Sequence, residues 1–184
     1  MIINSSTLRS LFTGFSTSFN KGLEGAESHY RDVAMVVPSA ARETTYGWLG
    51  QFPKLREWIG DRHVKNLAAH GYTVVNRTFE NTVSVPRTSI EDDQFSVFGP
   101  IIEELGKANG EFPDEMIFSL PAAGFTTPCY DGQYFFDTDH PVGIGTPQSV
   151  SNVQAGRGVP WFLLDTSRAI KPMLWQERVP FKLV

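Results

Sequence analysis

Sulfur chemistry is almost missing from this chain, in which Cys129 is the single cysteine. One thiol closes no internal disulfide and builds no zinc cluster, so a disulfide scaffold and a cysteine-based metal fold are both excluded. Long apolar runs are missing as well. No stretch approaches the roughly 20 residues that a membrane helix needs. The opening Met1-Ile2-Ile3-Asn4 has no basic region followed by an apolar one, so no signal peptide is expected and a cytosolic origin fits. Positive charge is not in surplus either: sixteen Lys and Arg face twenty Asp and Glu, a net charge of −4. A dedicated nucleic-acid binder carries a basic face, so no sequence-specific contact with DNA or RNA is expected. What remains is core-forming material. The 184 residues are 41% hydrophobic and 20% charged, which implies a globular chain, folded as a single domain or as two small lobes.

Hydrophobic spacing outlines the elements of a mixed α+β chain. Leu8, Leu11, Phe12, Phe15 and Phe19 recur at steps of three and four, predicting a helix over 7–22. Ser5 or Ser6 is placed to cap it, Gly14 weakens it and Gly22 is placed to end it. Residues 33–37 form a short apolar run suited to a strand. Tyr46, Trp48, Leu49, Phe52, Leu55, Trp58 and Ile59 then crowd together, broken by Gly47, Gly50, Pro53 and Gly60 and threaded with charge. Such a stretch fits an interaction loop, since interfaces favour aromatics and Arg, and equally a satellite cluster folded under its own chain. Period-two alternation over 72–85 predicts a strand that Pro86 closes, although Arg77 and Asn81 interrupt its apolar face.

Two helices should follow. Ser89 with Asp92, and the acidic run Glu91-Asp92-Asp93, resemble a helix start. Phe98, Ile101, Ile102 and Leu105 supply a stripe that Pro100 should kink and Gly110 should stop. Pro113 then opens a second helix carrying Met116, Ile117, Leu120 and Ala123, which Gly124 is placed to end. Residues 125–159 read as loop, 161–164 and 173–175 as short strands. The apolar run 179–184 stops without a closing element, so the natural chain is expected to continue.

Candidate chemistry is sparse. Asp137, Asp139 and His140 put two carboxylates and an imidazole within four residues, a set that could bind a metal or do acid–base work. His29, His63 and His70 show no ligand spacing, however, and Asp and His are common in turns before proline. Cys129 has no base or cationic neighbour to activate it and reads as a small buried side chain. The glycine-rich 143–147 lacks the Lys-Ser/Thr of a phosphate loop. No cofactor is expected, and the chain is not expected to be an enzyme.

Longer segments carry a resemblance. Thr45-Tyr-Gly-Trp-Leu-Gly-Gln-Phe-Pro-Lys-Leu-Arg-Glu-Trp-Ile-Gly60, Ala69-His-Gly-Tyr72 and Ile90-Glu-Asp-Asp93 resemble the Mu-like phage major head subunit (gpT) family. So do Cys129-Tyr-Asp-Gly-Gln-Tyr-Phe-Phe-Asp-Thr-Asp-His-Pro141, Leu163-Leu-Asp-Thr-Ser-Arg168, Lys171-Pro172 and Gln176-Glu-Arg178, in the family's order. The resemblance implies the Hong Kong 97-type capsid fold: an N-terminal arm over 1–45, an extended E-loop over 46–72, and peripheral-domain elements over 73–184, with a spine helix starting near Ile90. The axial domain would lie largely beyond Val184, as in a truncated chain or a prophage remnant.

It also implies a structural role, self-assembly into pentamers and hexamers of an icosahedral shell around packaged DNA, with no membrane partner. Scaffold, protease, portal and decoration proteins are the further partners implied. The virion, and the host cytoplasm before assembly, would be its locations. Trp48, Phe52, Leu55, Arg56, Trp58 and Arg62 are the expected subunit contacts, with Glu57 and Asp61 as salt-bridge partners. The rival readings are a small metal-dependent hydrolase using Asp137, Asp139 and His140, and a module binding one foreign partner through the aromatic stretch.

Overall fold

Asn4 starts the first element by turning its side-chain oxygen onto the backbone N–H of Thr7, 2.8 Å away. The result is helix α1 (Ser5–Glu24), in a computed structural model that describes residues 3–46, 71–92, 95–129, 131–142, 146 and 148–184. The cap is thus Asn4 rather than Ser5 or Ser6, since an Asn at this position satisfies an orphan N–H equally well. Gly22 does not end the helix. Gly25 caps it, donating its N–H to the Lys21 carbonyl at 3.0 Å.

The chain divides into two compact units, Met1–Pro38 with Arg77–Phe118 and Asp165–Val184, and Ser39–Asn76 with Ser119–Leu164. In the first, α1 lies beside a long helix, α4 (Phe95–Ala123), most of which belongs to this unit. The contact is backbone to backbone. A Cβ at Gly22 would fall on the Glu103 carbonyl and 2.9 Å from Lys107 N, and one at Gly106 would fall on the Phe19 carbonyl. One at Gly110 would come within 2.5 Å of the Ala26 Cβ. Glycine is therefore required at these places for close approach, with no positive φ involved. Phe19 on α1 and Ile102, Pro113 and Ile117 on α4 are buried.

This corrects the expectation of two helices. Buried positions 102, 106, 113 and 117 keep one helical face through the proline and both glycines, and α4 runs unbroken for 29 residues. Glycine tolerates a helix interior at about 1 kcal/mol relative to Ala, and the contact with α1 offsets that. Pro100, the sixth residue of α4, stands past the first turn, and the helix is continuous across it.

Before α4 stands the short α3 (Arg87–Glu91), which follows Pro86 and has no side-chain cap. Glu91 therefore ends a helix instead of starting one, paired with Arg87 at 2.8 Å. Asp114 on α4 accepts the N–H groups of His29 and Tyr30 at 2.7–3.0 Å and so starts α2 (Tyr30–Val33). From there β1 (Ala34–Pro38) pairs in parallel with β6 (Met173–Glu177), Ala34 facing Met173 and Pro38 facing Glu177. Tyr30 meets Trp175 edge-on with ring centres 5.7 Å apart, and the Lys171 ammonium donates to the Arg31 carbonyl.

In the second unit, β2 (Glu43–Tyr46) and β3 (Tyr72–Val75) form an antiparallel pair, and so do β4 (His140–Val142) and β5 (Gln148–Val150). The expected strand over 72–85 stops at Val75. Asn76 spends its backbone N–H on the Arg42 carbonyl and its side chain on Ser39 and Ala41. Past it, in the first unit, Phe79 packs on Phe112 at 4.8 Å, and Phe112 on Phe181 at 6.0 Å. Residues 161–164 are not a strand either: among the described residues they make no ladder hydrogen bonds. Gly124 closes α4 as expected, its N–H donating to Pro121, and a Cβ there would stand 2.7 Å from the Phe136 ring. Among the described residues, no helix is long and apolar enough to cross a membrane.

Candidate functional site

The aromatic, charged stretch singled out in the sequence is carried between the two strands of a hairpin. β2 and β3 pair from Glu43↔Val75 to Tyr46↔Tyr72, so residues 47–71 connect the end of one to the start of the other. The base of that hairpin is well tied. The Thr45 and Thr73 hydroxyls meet across the ladder at 2.8 Å, a cross-strand pair of the kind that pins register. Gly71 lies close enough that a Cβ would stand 3.1 Å from the Thr45 methyl. Tyr46 is buried at 3% exposure, which pushes its phenol pKa up against the lowering effect of a hydrogen bond with Thr44. Below the ladder the Asn76 amide reaches the Ser39 hydroxyl at 3.0 Å and the Ala41 carbonyl at 2.7 Å.

The contact residues expected from the resemblance, Trp48, Phe52, Leu55, Arg56, Glu57, Trp58, Asp61 and Arg62, lie outside the described residues. What the structure contributes is their mounting: an antiparallel base at both ends of the stretch that holds them.

The Asp137–His140 motif builds turns. Asp137 accepts the N–H of Thr138 at 2.7 Å and that of Tyr134 at 3.4 Å. The Thr138 bond above all holds its carboxyl below the usual carboxylate pKa, because a carboxylate accepting N–H bonds is favoured over the acid. Asn152 ties the same turn to β5, accepting the Asp137 N–H at 2.9 Å and donating to the Phe135 carbonyl at 2.7 Å. His140 faces Asp131 instead of its sequence neighbours, with Nδ1 2.7 Å from Oδ2 in a largely buried pair. Nothing in the sequence marks Asp131; only the fold brings it to His140. Asp139 is exposed. Among the described residues, no group of three His, Cys, Asp or Glu side chains could hold a metal ion, and nothing favours the hydrolase reading. Cys129 is half-buried, and its N–H donates to the Gln133 carbonyl at 2.6 Å. It is a turn residue.

The segment whose pattern predicts a strand near Trp161 carries exposed apolar side chains. Val159, Trp161 and Leu163 are 91%, 82% and 86% exposed. Phe162, between the last two, stacks on Phe136 with ring centres 5.2 Å apart and stands 6.5 Å from Phe125.

Residues 8–184 match the family model described as Mu-like prophage major head subunit gpT. The chain is 46% identical over 192 aligned positions to the major capsid protein of Escherichia phage Mu, covering all of this chain and 63% of that protein. It is 52% identical over 180 positions to the Mu-like prophage FluMu major head subunit of Haemophilus influenzae, covering 93% of this chain and 58% of that one. Among solved structures, the procapsid subunit of bacteriophage JBD30 superposes with a TM-score of 0.83 at 51% identity, over 96% of this chain and 62% of that one. The subunit in the JBD30 capsid gives 0.68 at 44% identity, over 98% of this chain and 59% of that one. The α+β capsid fold expected from the resemblance is therefore the fold this chain has. It spans about three fifths of the length of the relatives it matches.

Proposed function

The chain belongs to the Mu-like prophage major head subunit gpT family, and from that premise we propose that it is a structural head subunit, many copies of which tile an icosahedral shell around packaged phage DNA. The observation that carries this reading is the 0.83 TM-score and 51% identity with a procapsid subunit over 96% of the chain. Chemistry supports it. A container for DNA works best without tight binding to phosphates, and the net charge of −4 is on the right side of that requirement. Assembly then rests on many modest interfaces, cooperative because each subunit touches several neighbours.

The stretch 46–72 takes the role of the E-loop, resting on a neighbouring subunit through Trp48, Phe52, Leu55, Arg56, Trp58 and Arg62, with Glu57 and Asp61 closing salt bridges. The antiparallel base formed by β2 and β3 supports this, since a long extension needs a fixed register at its root. Residues 1–45 serve as the N-terminal arm, and α4 as the spine of the peripheral region. The partners are further copies in pentamers and hexamers. A minor capsid protein decorates the JBD30 capsid as trimers, and a decoration protein, scaffold, protease and portal are the other partners proposed here. The subunit passes from the host cytoplasm into the virion and performs no catalysis.

The test is light scattering of the purified chain after size exclusion, with negative-stain microscopy of the large fraction. Rings, sheets or closed shells are expected. A species that stays monomeric at every concentration overturns self-assembly by this chain.

A further inference from the structure

We propose that Asn76 sets the register of the β2–β3 ladder and is thereby the positioning residue for the stretch this hairpin carries. What the register serves rests on the head-subunit reading of 46–72; the register itself does not. The ladder runs from Glu43↔Val75 to Tyr46↔Tyr72, and its own side chains choose poorly among offsets. Thr44 and Thr45 follow each other in β2, as Val74 and Val75 do in β3. A slip by one residue one way sets Thr44 opposite Val75 and repeats the native Thr44–Val74 pairing. The other way it sets Thr44 opposite Thr73 and repeats the Thr45–Thr73 pairing.

Burial does not choose either. With β2 held, a slip turns every β3 side chain to the opposite face, but Tyr72, Thr73 and Val75 are exposed and Val74 is only half-buried. Tyr46 is buried and anchors β2, which leaves the offset of β3 open. The connection adds nothing. A two-residue turn dictates register through its geometry, and a connection as long as 47–71 does not.

Asn76 supplies the missing choice. It directly follows β3 and reaches the segment that leads into β2. Its backbone N–H donates to the Arg42 carbonyl at 2.9 Å, and its amide to the Ala41 carbonyl at 2.7 Å and the Ser39 hydroxyl at 3.0 Å. Ser39 in turn meets the Thr44 hydroxyl at 3.2 Å, so the tie extends into β2 itself. After a slip another residue can remake the backbone bond, but the side-chain bonds are lost. Val75 has no polar side chain to offer, and the Arg77 guanidinium is set over the Phe79 ring at 5.3 Å or closer, 5.2 Å from its centre. A hydrogen bond is worth about two- to tenfold in such an equilibrium, so the two amide bonds favour the native offset by about tenfold or more.

The experiment is cross-strand disulfide trapping on the dispersed chain, in a Cys129→Ser background. Thr45→Cys/Thr73→Cys joins side chains that already meet at 2.8 Å and reports the native offset. Thr45→Cys/Val74→Cys lies on opposite faces in that offset and closes only after a slip. Asn76→Asp keeps the shape and the backbone N–H of Asn76 but donates nothing from its side chain. It should slow closure of the first pair by at least about tenfold and admit the second. A first pair that closes as fast with Asn76→Asp as without it would overturn the assignment. Amide exchange in β1 and β6 should match the parent, which shows that the effect is confined to the hairpin. Were Asn76→Asp to unfold the chain, Ser39→Ala decides: it removes one of the two acceptors and should slow the first pair about threefold, and no slowing overturns the assignment. Because trapping needs no assembly, a chain that never forms shells overturns the head-subunit reading alone, and unaltered trapping overturns the role of Asn76 alone.

Discussion

Replacing Gly106 by alanine should destabilise the chain, whereas the same change at Gly14 should stabilise it. Both glycines lie inside helices, and both substitutions remove the flexibility that makes glycine cost about 1 kcal/mol there. Around Gly14 a new Cβ meets nothing within 4 Å, so the gain of about 0.5–1 kcal/mol should be realised in full. At Gly106 the Cβ would land on the Phe19 carbonyl and 2.9 Å from its carbon. Even a tight contact needs more than 3.0 Å and the carbonyl oxygen would stand at 2.1 Å, so α1 and α4 must separate by roughly 1 Å. A gap of that size forfeits about a quarter to a half of each contact along the seam. The obstacle is backbone, which cannot rotate away like a side chain. Overpacking of this kind costs about 1–3 kcal/mol, and with Phe19 at 1% exposure the loss should exceed the helix gain. The expected net is about 1–2 kcal/mol of destabilisation, a fall in Tm of about 2–8 °C for a chain of this size. Thermal melts followed by circular dichroism would show the two variants moving in opposite directions. A Gly106→Ala protein as stable as its parent would refute the claim that backbone contact sets the α1–α4 distance.

Asp114→Ala should cost about 1–3 kcal/mol in urea unfolding, because it leaves the N–H groups of His29 and Tyr30 without their acceptor. Asp137 has a depressed carboxyl pKa, so its contribution is complete above the ordinary value of 3.8 and is lost as pH falls through the lower folded value. An NMR titration should place its midpoint below 3.8, and a midpoint at or above that value would contradict the Thr138 hydrogen bond as its cause. Charge reversal at Arg56 together with Arg62 should abolish shell formation with the melting curve unchanged. Normal shells from that double variant would remove the assigned contact from 46–72.

Much is legible in the residues because local pattern and local structure obey the same periods. The spacing of Leu8 to Phe19 has one helical solution, and α1 follows it to within two residues at each end. The strand run near Val36 and the one near Leu174 are also legible, each short, apolar and bounded by polar residues. Their parallel pairing is not, because register depends on a partner 139 positions away, as at Ala34↔Met173. At the candidate site, the order of the motifs identifies the family. The hairpin base that mounts 47–71 emerges only in three dimensions, since Glu43-Thr-Thr-Tyr46 reads as polar loop until β3 is set beside it.

The sequence by itself determined class and kinship: a single cysteine excluded an internal disulfide, the charge balance argued against a dedicated nucleic-acid binder, and the ordered segments from Thr45 to Arg178 marked the head-subunit family. Only the tertiary structure decided what the glycines and prolines of α4 mean. Gly110 looks like a stop signal when judged by propensity, a property of one residue in isolation. It and Gly106 are close-approach positions when Ala26 and Phe19 are brought against them. The same holds for Asp131 with His140, and for Phe162 stacked on Phe136. Each depends on groups distant in the chain, and distance in the chain carries no information about contact until the fold supplies it.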